Sequence, residues 1–147
     1  RSKDINLNVS VGKNESMIDA YIFYDNCSMN TVDKKFKEYT KKSVNKEPTI
    51  LRLEQLRLNT ILKNHEINKI DYLNIDVEGN EENVLNGFAI KKYSPELVSI
   101  EIHSEKCPPT NNKIYKFFTS NGYKLSSIYG WTYFFEKFNN TKIHFDY

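Results

Sequence analysis

Glycine, cysteine and long apolar runs are scarce in this 147-residue chain, and each scarcity removes a class of answers. Only five glycines occur and no two form a Gly-x-Gly cluster, so the chain has no glycine-rich turn to bring backbone close to a ligand. The two cysteines, Cys27 and Cys107, lie far apart without metal-ligand spacing. They read as reduced thiols of an intracellular, cytoplasmic protein rather than as a disulfide. No run approaches the roughly 18 apolar residues of a membrane span, and no signal peptide is visible. Net charge is only +2, which makes no electrostatic case for nucleic acid or membrane as a partner. Internal repeats and low-complexity segments are also missing.

What is present suits a globular domain. Charged residues make up 27% and hydrophobic ones 39%, and 147 residues fit a single domain with a sizeable core. Aromatics reach 14%, so Tyr and Phe build a core that few Ala and Val could. The abundance of Asn, Lys and Ile reads as compositional drift, and Asn-x-Ser/Thr triplets such as Asn139-Asn140-Thr141 are expected by chance in so Asn-rich a chain. The sequence begins at Arg1 and enters a strand almost at once, which reads as a piece cut from a longer protein.

Along the chain, residues 5–11 alternate apolar and polar as a half-buried strand does. Gly12-Lys13-Asn14-Glu15 supplies a turn, and residues 18–24 read as the hairpin partner. The lysine-rich stretch 32–43, with Phe36 and Tyr39 three apart, is open to a short helix or a mobile surface segment, but its little apolar periodicity favours a solvated connection. Residues 49–53 resemble a short strand. In 56–64, Leu58, Ile61 and Leu62 fall at i, i+3, i+4 and predict an amphipathic helix. An apolar strand over 70–77, a helix over 81–87 and a second apolar strand over 97–103 follow. Cys107-Pro108-Pro109-Thr110 is a rigid loop before a helix over 111–120, for which Gly122 fits the C′ position. Strands over 123–129 and 132–138 close the chain around Gly130-Trp131. Strands alternating with helices predict an α/β fold, a mostly parallel sheet covered on both faces, with a C-terminal antiparallel hairpin.

The most informative segment is Ile70-Asp71-Tyr72-Leu73-Asn74-Ile75-Asp76-Val77-Glu78-Gly79-Asn80-Glu81. An apolar strand ends in a turn with two carboxylates, and ligands of open α/β sheets bind beyond the carboxyl ends of the strands. The second apolar strand likewise ends in Glu101-Ile102-His103.

These residues, with Val84-Leu85-Asn86-Gly87-Phe88 between them, resemble the C-terminal half of the FkbM-family methyltransferases. The resemblance implies a Rossmann-like class I fold, S-adenosylmethionine as methyl donor, and O-methylation of a sugar or small-molecule hydroxyl. One departure stands out. The family's glycine-rich first strand and its acid-ended second strand have no counterpart here, which implies a fragment truncated at the N-terminus and lacking most of the cofactor site.

Under that resemblance Asp76 faces the transferred methyl as acceptor-orienting group, general base or metal ligand; otherwise it caps the following helix or hydrogen-bonds the turn. Glu78 either shares a divalent ion such as Mg²⁺ with Asp76 or is a first-turn acid favoured by the helix dipole. Gly79 serves the turn, and Glu81 and Glu82 read as surface acids. Glu101 and His103 share a strand face; Glu101 needs a partner if buried, and His103 is suited to accept a proton. Ser10 and Val11 would touch the donor's adenine. Trp131, Tyr129 and Tyr133 read as core rather than as a sugar-stacking wall, the lysines from Lys34 to Lys42 as a solvated face, and His65 and His144 as surface. Two other classes stay open: a non-catalytic α/β binding module or inactive fragment, and a metal-dependent hydrolase built on the four acid and imidazole groups. The expected partners are a small-molecule or glycan acceptor and a second copy, dimerised through an exposed sheet edge.

Overall fold

The computed structural model describes residues 4–25, 28–103 and 109–138. Cys27, Cys107, His144 and the Asn139 triplet lie outside the described residues. Two compact units emerge, one spanning Arg1–Asn68 and Ile75–Ala89, the other Lys69–Asn74 and Ile90–Tyr147.

The first unit contains a three-stranded sheet in the order β1-β3-β2, from β1 (Ser10–Val11), β2 (Ser16–Ile22) and β3 (Thr49–Leu56). The predicted pairing of the first two strands is not the one formed. β2 runs antiparallel to β3, with Ser16 opposite Gln55 and Ile22 opposite Thr49, while β1 runs parallel to β3. The 12–15 loop is instead anchored to β3: Gly12 N donates to Leu56 O at 3.0 Å, and Gln55 Nε2 donates to Asn14 O at 2.9 Å. Only Ser10–Val11 of the expected 5–11 strand is assigned.

The lysine-rich connection is a helix, α1 (Lys34–Val44). Its signal was the N-cap Asp33, whose carboxylate accepts from Lys35 N at 2.8 Å and Phe36 N at 2.7 Å. Phe36, Thr40 and Val44 recur at i, i+4, i+8, a stripe too narrow and too polar to read as amphipathic. Lys41 and Lys42 in its last turn suit the helix dipole; Lys34, Lys35 and Lys42 are exposed, while Lys37 and Lys41 are half-buried. α2 (Leu58–Asn64) forms as expected, with the half-buried His65 as its C-cap. α3 (Glu81–Asn86) buries Val84 and Leu85 and leads to buried Phe88.

The second unit's sheet has the order β4-β5-β7-β6, from β4 (Tyr72–Ile75), β5 (Leu97–Glu101), β6 (Tyr123–Tyr129) and β7 (Thr132–Lys137). The C-terminal antiparallel hairpin forms as predicted, and β5 also runs antiparallel to β7. Among the described registers, β2–β3, β5–β7 and β6–β7 are antiparallel and β1–β3 is parallel, which does not establish the mostly parallel sheet expected. Helix–strand alternation predicts parallel crossovers, but β3 and β7 each return beside a strand running the opposite way.

A short helix, α4 (Ile90–Tyr93), precedes β5 and was not foreseen. α5 (Lys113–Ser120) is capped by Asn112 and ends with Gly122 at φ 83°, the left-handed C′ residue anticipated. The core of this unit is aromatic: Phe118 stacks on Phe135 at 4.5 Å and meets Tyr123 edge-on at 5.7 Å. Among the described residues no helix is long and apolar enough to cross a membrane.

Candidate functional site

β4 ends at Ile75, and the chain then turns through Asp76-Val77-Glu78-Gly79 into α3. Two successive residues of this turn have positive φ, Glu78 at 52° and Gly79 at 96°. Glycine is at home there, but a glutamate in the left-handed region costs about 1 kcal/mol. Something must hold it.

Glu81 is the main restraint. Its side chain is only 5% exposed, and Oε1 accepts from both Val77 N and Gly79 N at 3.2 Å. The reading of Glu81 as a surface acid is therefore corrected: its carboxylate folds back onto the turn whose amides have no strand or helix partner. Thr31 grips the other side, its hydroxyl donating to Glu78 O at 2.7 Å while accepting from Asp33 N at 2.9 Å. Buried Asn80 ties the turn to β1, donating through Nδ2 to Val11 O at 3.0 Å and accepting from Asn83 Nδ2 at 2.7 Å. Asn80 and Glu81 lie inside the motif, and the Gly-Asn-Glu step before a helix was the available signal. Thr31 had none, since its partner is 47 residues away.

Asn80, not Asp76, occupies the N-cap of α3. Glu78 precedes the helix by three residues, and the first-turn acids are Glu81 and Glu82. The capping reading of Asp76 and the helix-dipole reading of Glu78 both fall away. Asp76 is exposed and Glu78 half-buried.

The tether to β1 brings sequence-distant residues to one pocket of about 430 Å³. Its apolar lining includes Val9 and, from the three strands, Val11, Ala20, Ile22 and Leu53. Its polar lining includes Ser10, Asn30, Thr31, Asp76, Glu78 and Asn80. Ser10, Val11, Asp76 and Glu78 thus line the same cavity, large enough for a nucleoside-sized ligand. A second pocket of about 340 Å³ is lined by Asp19, Lys34, Arg52, Gln55, Asn80 and Asn83 among others, and there Arg52 Nη1 meets Asp19 Oδ1 at 2.9 Å.

Glu101 and His103 belong to the second unit. They meet as the i, i+2 spacing predicts, with His103 Nε2 at 3.2 Å from Glu101 Oε2. The aromatic reading divides. Tyr133, opposite Ile100 within the sheet, is buried, whereas Tyr129 and Trp131 at the hairpin tip are exposed. No group of three or more His, Cys, Asp and Glu side chains able to hold a metal ion occurs among the described residues, and no residue is assigned a metal-binding role.

Strands, helices and a pocket that two carboxylates help to line make this a mixed α/β protein. The family model of the methyltransferase FkbM domain matches residues 1–125. The chain belongs to the FkbM methyltransferase family and carries a methyltransferase domain. No curated protein and no solved structure matches it.

Proposed function

We propose that this domain serves S-adenosylmethionine-dependent methyl transfer to a hydroxyl of a sugar or related small molecule, within a Rossmann-like methyltransferase framework. The observation that carries the reading is the convergence of Ser10, Val11, Asp76 and Glu78 on one pocket. Its residues fit the donor in part. The apolar lining suits an adenine face, with Ser10 and Val11 beside it, and the carboxylates of Asp76 and Glu78 complement a cationic sulfonium. Nothing in this sequence supplies a glycine-rich turn for the methionine end.

When bound, the donor supplies an electrophilic methyl carbon on positively charged sulfur. Asp76 would orient the acceptor hydroxyl and take up its proton. General-base assistance of this kind contributes about 10²- to 10⁴-fold. Glu78 is half-buried in the same polar lining and adds negative potential toward the cationic donor. The apolar lining excludes water from one side of the reacting groups.

Labelled-methyl transfer from S-adenosylmethionine to a sugar panel, catalysed by the natural protein that carries this sequence, tests the reading. Asp76→Asn is expected to lower kcat by about 10²-fold or more with little change in donor affinity. Equal turnover by the variant refutes the role of Asp76, and no transfer to any hydroxyl acceptor refutes the activity. The absence of a Gly-x-Gly turn favours a second reading for the 147-residue chain alone, a binding module without turnover. Calorimetry on that chain is expected to show no micromolar binding of S-adenosylmethionine, and a micromolar constant overturns the second reading.

A further inference from the structure

The tip of the β6–β7 hairpin presents aromatic surface where a core would be expected. Tyr129 is 83% exposed and Trp131 52% exposed, while Tyr123, Tyr133 and Phe135 of the same hairpin are buried. The tip does not hang free. Ile102 N donates to Trp131 O at 2.8 Å, which fastens the turn to the chain just past β5. That bond sets the indole against His103, with ring centroids 5.4 Å apart and tilted by 42°. His103 in turn holds Glu101 at 3.2 Å, and the Glu101 side chain is 18% exposed. Indole, imidazole and carboxylate therefore meet in one small part of the second unit, with Tyr129 just across Gly130 from Trp131 in the hairpin turn.

We propose that Tyr129, Trp131, His103 and Glu101 form a platform that binds a pyranose ring. The inference goes beyond the reading above and stands on the second unit alone. One face of a pyranose is a patch of C–H groups, apolar and slightly positive, and it lies flat on the negative face of an aromatic ring. The hydroxyls around the ring's edge need directional partners, which the Glu101 carboxylate supplies as acceptor and the His103 imidazole as donor or acceptor. Size decides against a protein partner. An aromatic residue contributes about 150–250 Å², so half of Trp131 and most of Tyr129 offer roughly 300 Å². A standard protein interface needs about 800 Å² from each side. A single sugar ring is the occupant that this area and these polar groups fit.

Trp131 is the only tryptophan in the chain, so its emission reads the platform directly. The probes are the methyl glycosides of glucose, galactose, mannose and rhamnose, with sorbitol as a control that has hydroxyls but no ring face. The expected result is a saturable change in Trp131 emission with at least one glycoside at millimolar concentration. The same glycoside should show saturation transfer by NMR, and sorbitol should give neither signal. Tyr129→Ala should weaken binding by about threefold to tenfold, since an aromatic stacking contact is worth that much. Glu101→Gln, with far-ultraviolet circular dichroism unchanged, should weaken it without abolishing the stacking signal. No response to any glycoside, an equal response to sorbitol, or an emission change that follows protein concentration alone would overturn the platform. The titration needs no methyl donor. Glycoside binding without methyl transfer refutes only the proposed activity, and methyl transfer without any glycoside response at Trp131 refutes only the platform.

Discussion

Replacing Glu81 by alanine removes the one side chain that satisfies two amides of the strand-end turn. Val77 N and Gly79 N each lie 3.2 Å from its Oε1, and the carboxylate is almost wholly buried. A hydrogen bond to a charged group is worth about 1.5–3 kcal/mol, so two give about 3–6 kcal/mol before solvent is considered. Gly79 is exposed and Val77 half-buried, so water reaches the orphaned amides and recovers part of that. The positive φ of Glu78 then loses its restraint, and the turn relaxes toward ordinary backbone. A net loss of about 2–3 kcal/mol is expected. Urea unfolding followed by circular dichroism measures it as a lower midpoint at unchanged slope. Glu82→Ala, one residue on at an exposed position, is the charge-matched control and should cost under about 1 kcal/mol. Glu81→Gln keeps an oxygen acceptor without the charge and should fall between the two. If Glu81→Ala and Glu82→Ala unfold at the same urea concentration, Glu81 does not hold the turn and the account of its burial is wrong.

Three further perturbations probe other joints. A Cβ on Gly87 would sit 2.3 Å from the carbonyl oxygen of Gly12, so Gly87→Ala forces backbone apart and should cost about 1–3 kcal/mol, read as a lower Tm. An unchanged Tm would mean that α3 and the 12–15 loop are not in close contact. Asp33→Ala removes the cap of α1 and should cost about 1 kcal/mol, whereas Asp33→Asn should retain most of it; equal losses would refute the capping role. Burial raises the Tyr123 phenol above its ordinary pKa, and its hydroxyl donates to Pro95 O at 2.7 Å. A raised pKa in the folded state means stability that is complete below about pH 10 and lost as pH climbs through the folded value. Tyr123→Phe should flatten that alkaline decline in a pH series of urea midpoints, and a decline of unchanged steepness would show that Tyr123 does not drive it.

Much of this protein was legible locally. The helices α3 and α5, the C′ glycine after α5 and the closing hairpin follow from apolar spacing and from turn chemistry, which act over a few residues. The motif from Ile70 to Glu81 also carried the family, because a strand, a bend and a helix start must be encoded side by side. The helix α1 was missed because its stripe of Phe36, Thr40 and Val44 is narrow and its buried member is a threonine. The meeting of Glu101 with His103 was anticipated from strand alternation, although β5 ends at Glu101 and His103 lies just beyond it.

Tertiary structure decided the rest. β2 joins β3 and not β1 because the 12–15 loop finds its hydrogen-bond partners in Leu56 and Gln55. Ser10 and Val11 share a pocket with Asp76 and Glu78 because Asn80 reaches a carbonyl 69 positions away. Trp131 is exposed because its backbone is fastened beside Ile102 at the tip of a hairpin, outside the aromatic core. No periodicity encodes such choices, since they follow from satisfying buried donors and acceptors throughout the fold at once. The sequence by itself determined which residues carry chemistry, and folding selected which of them meet.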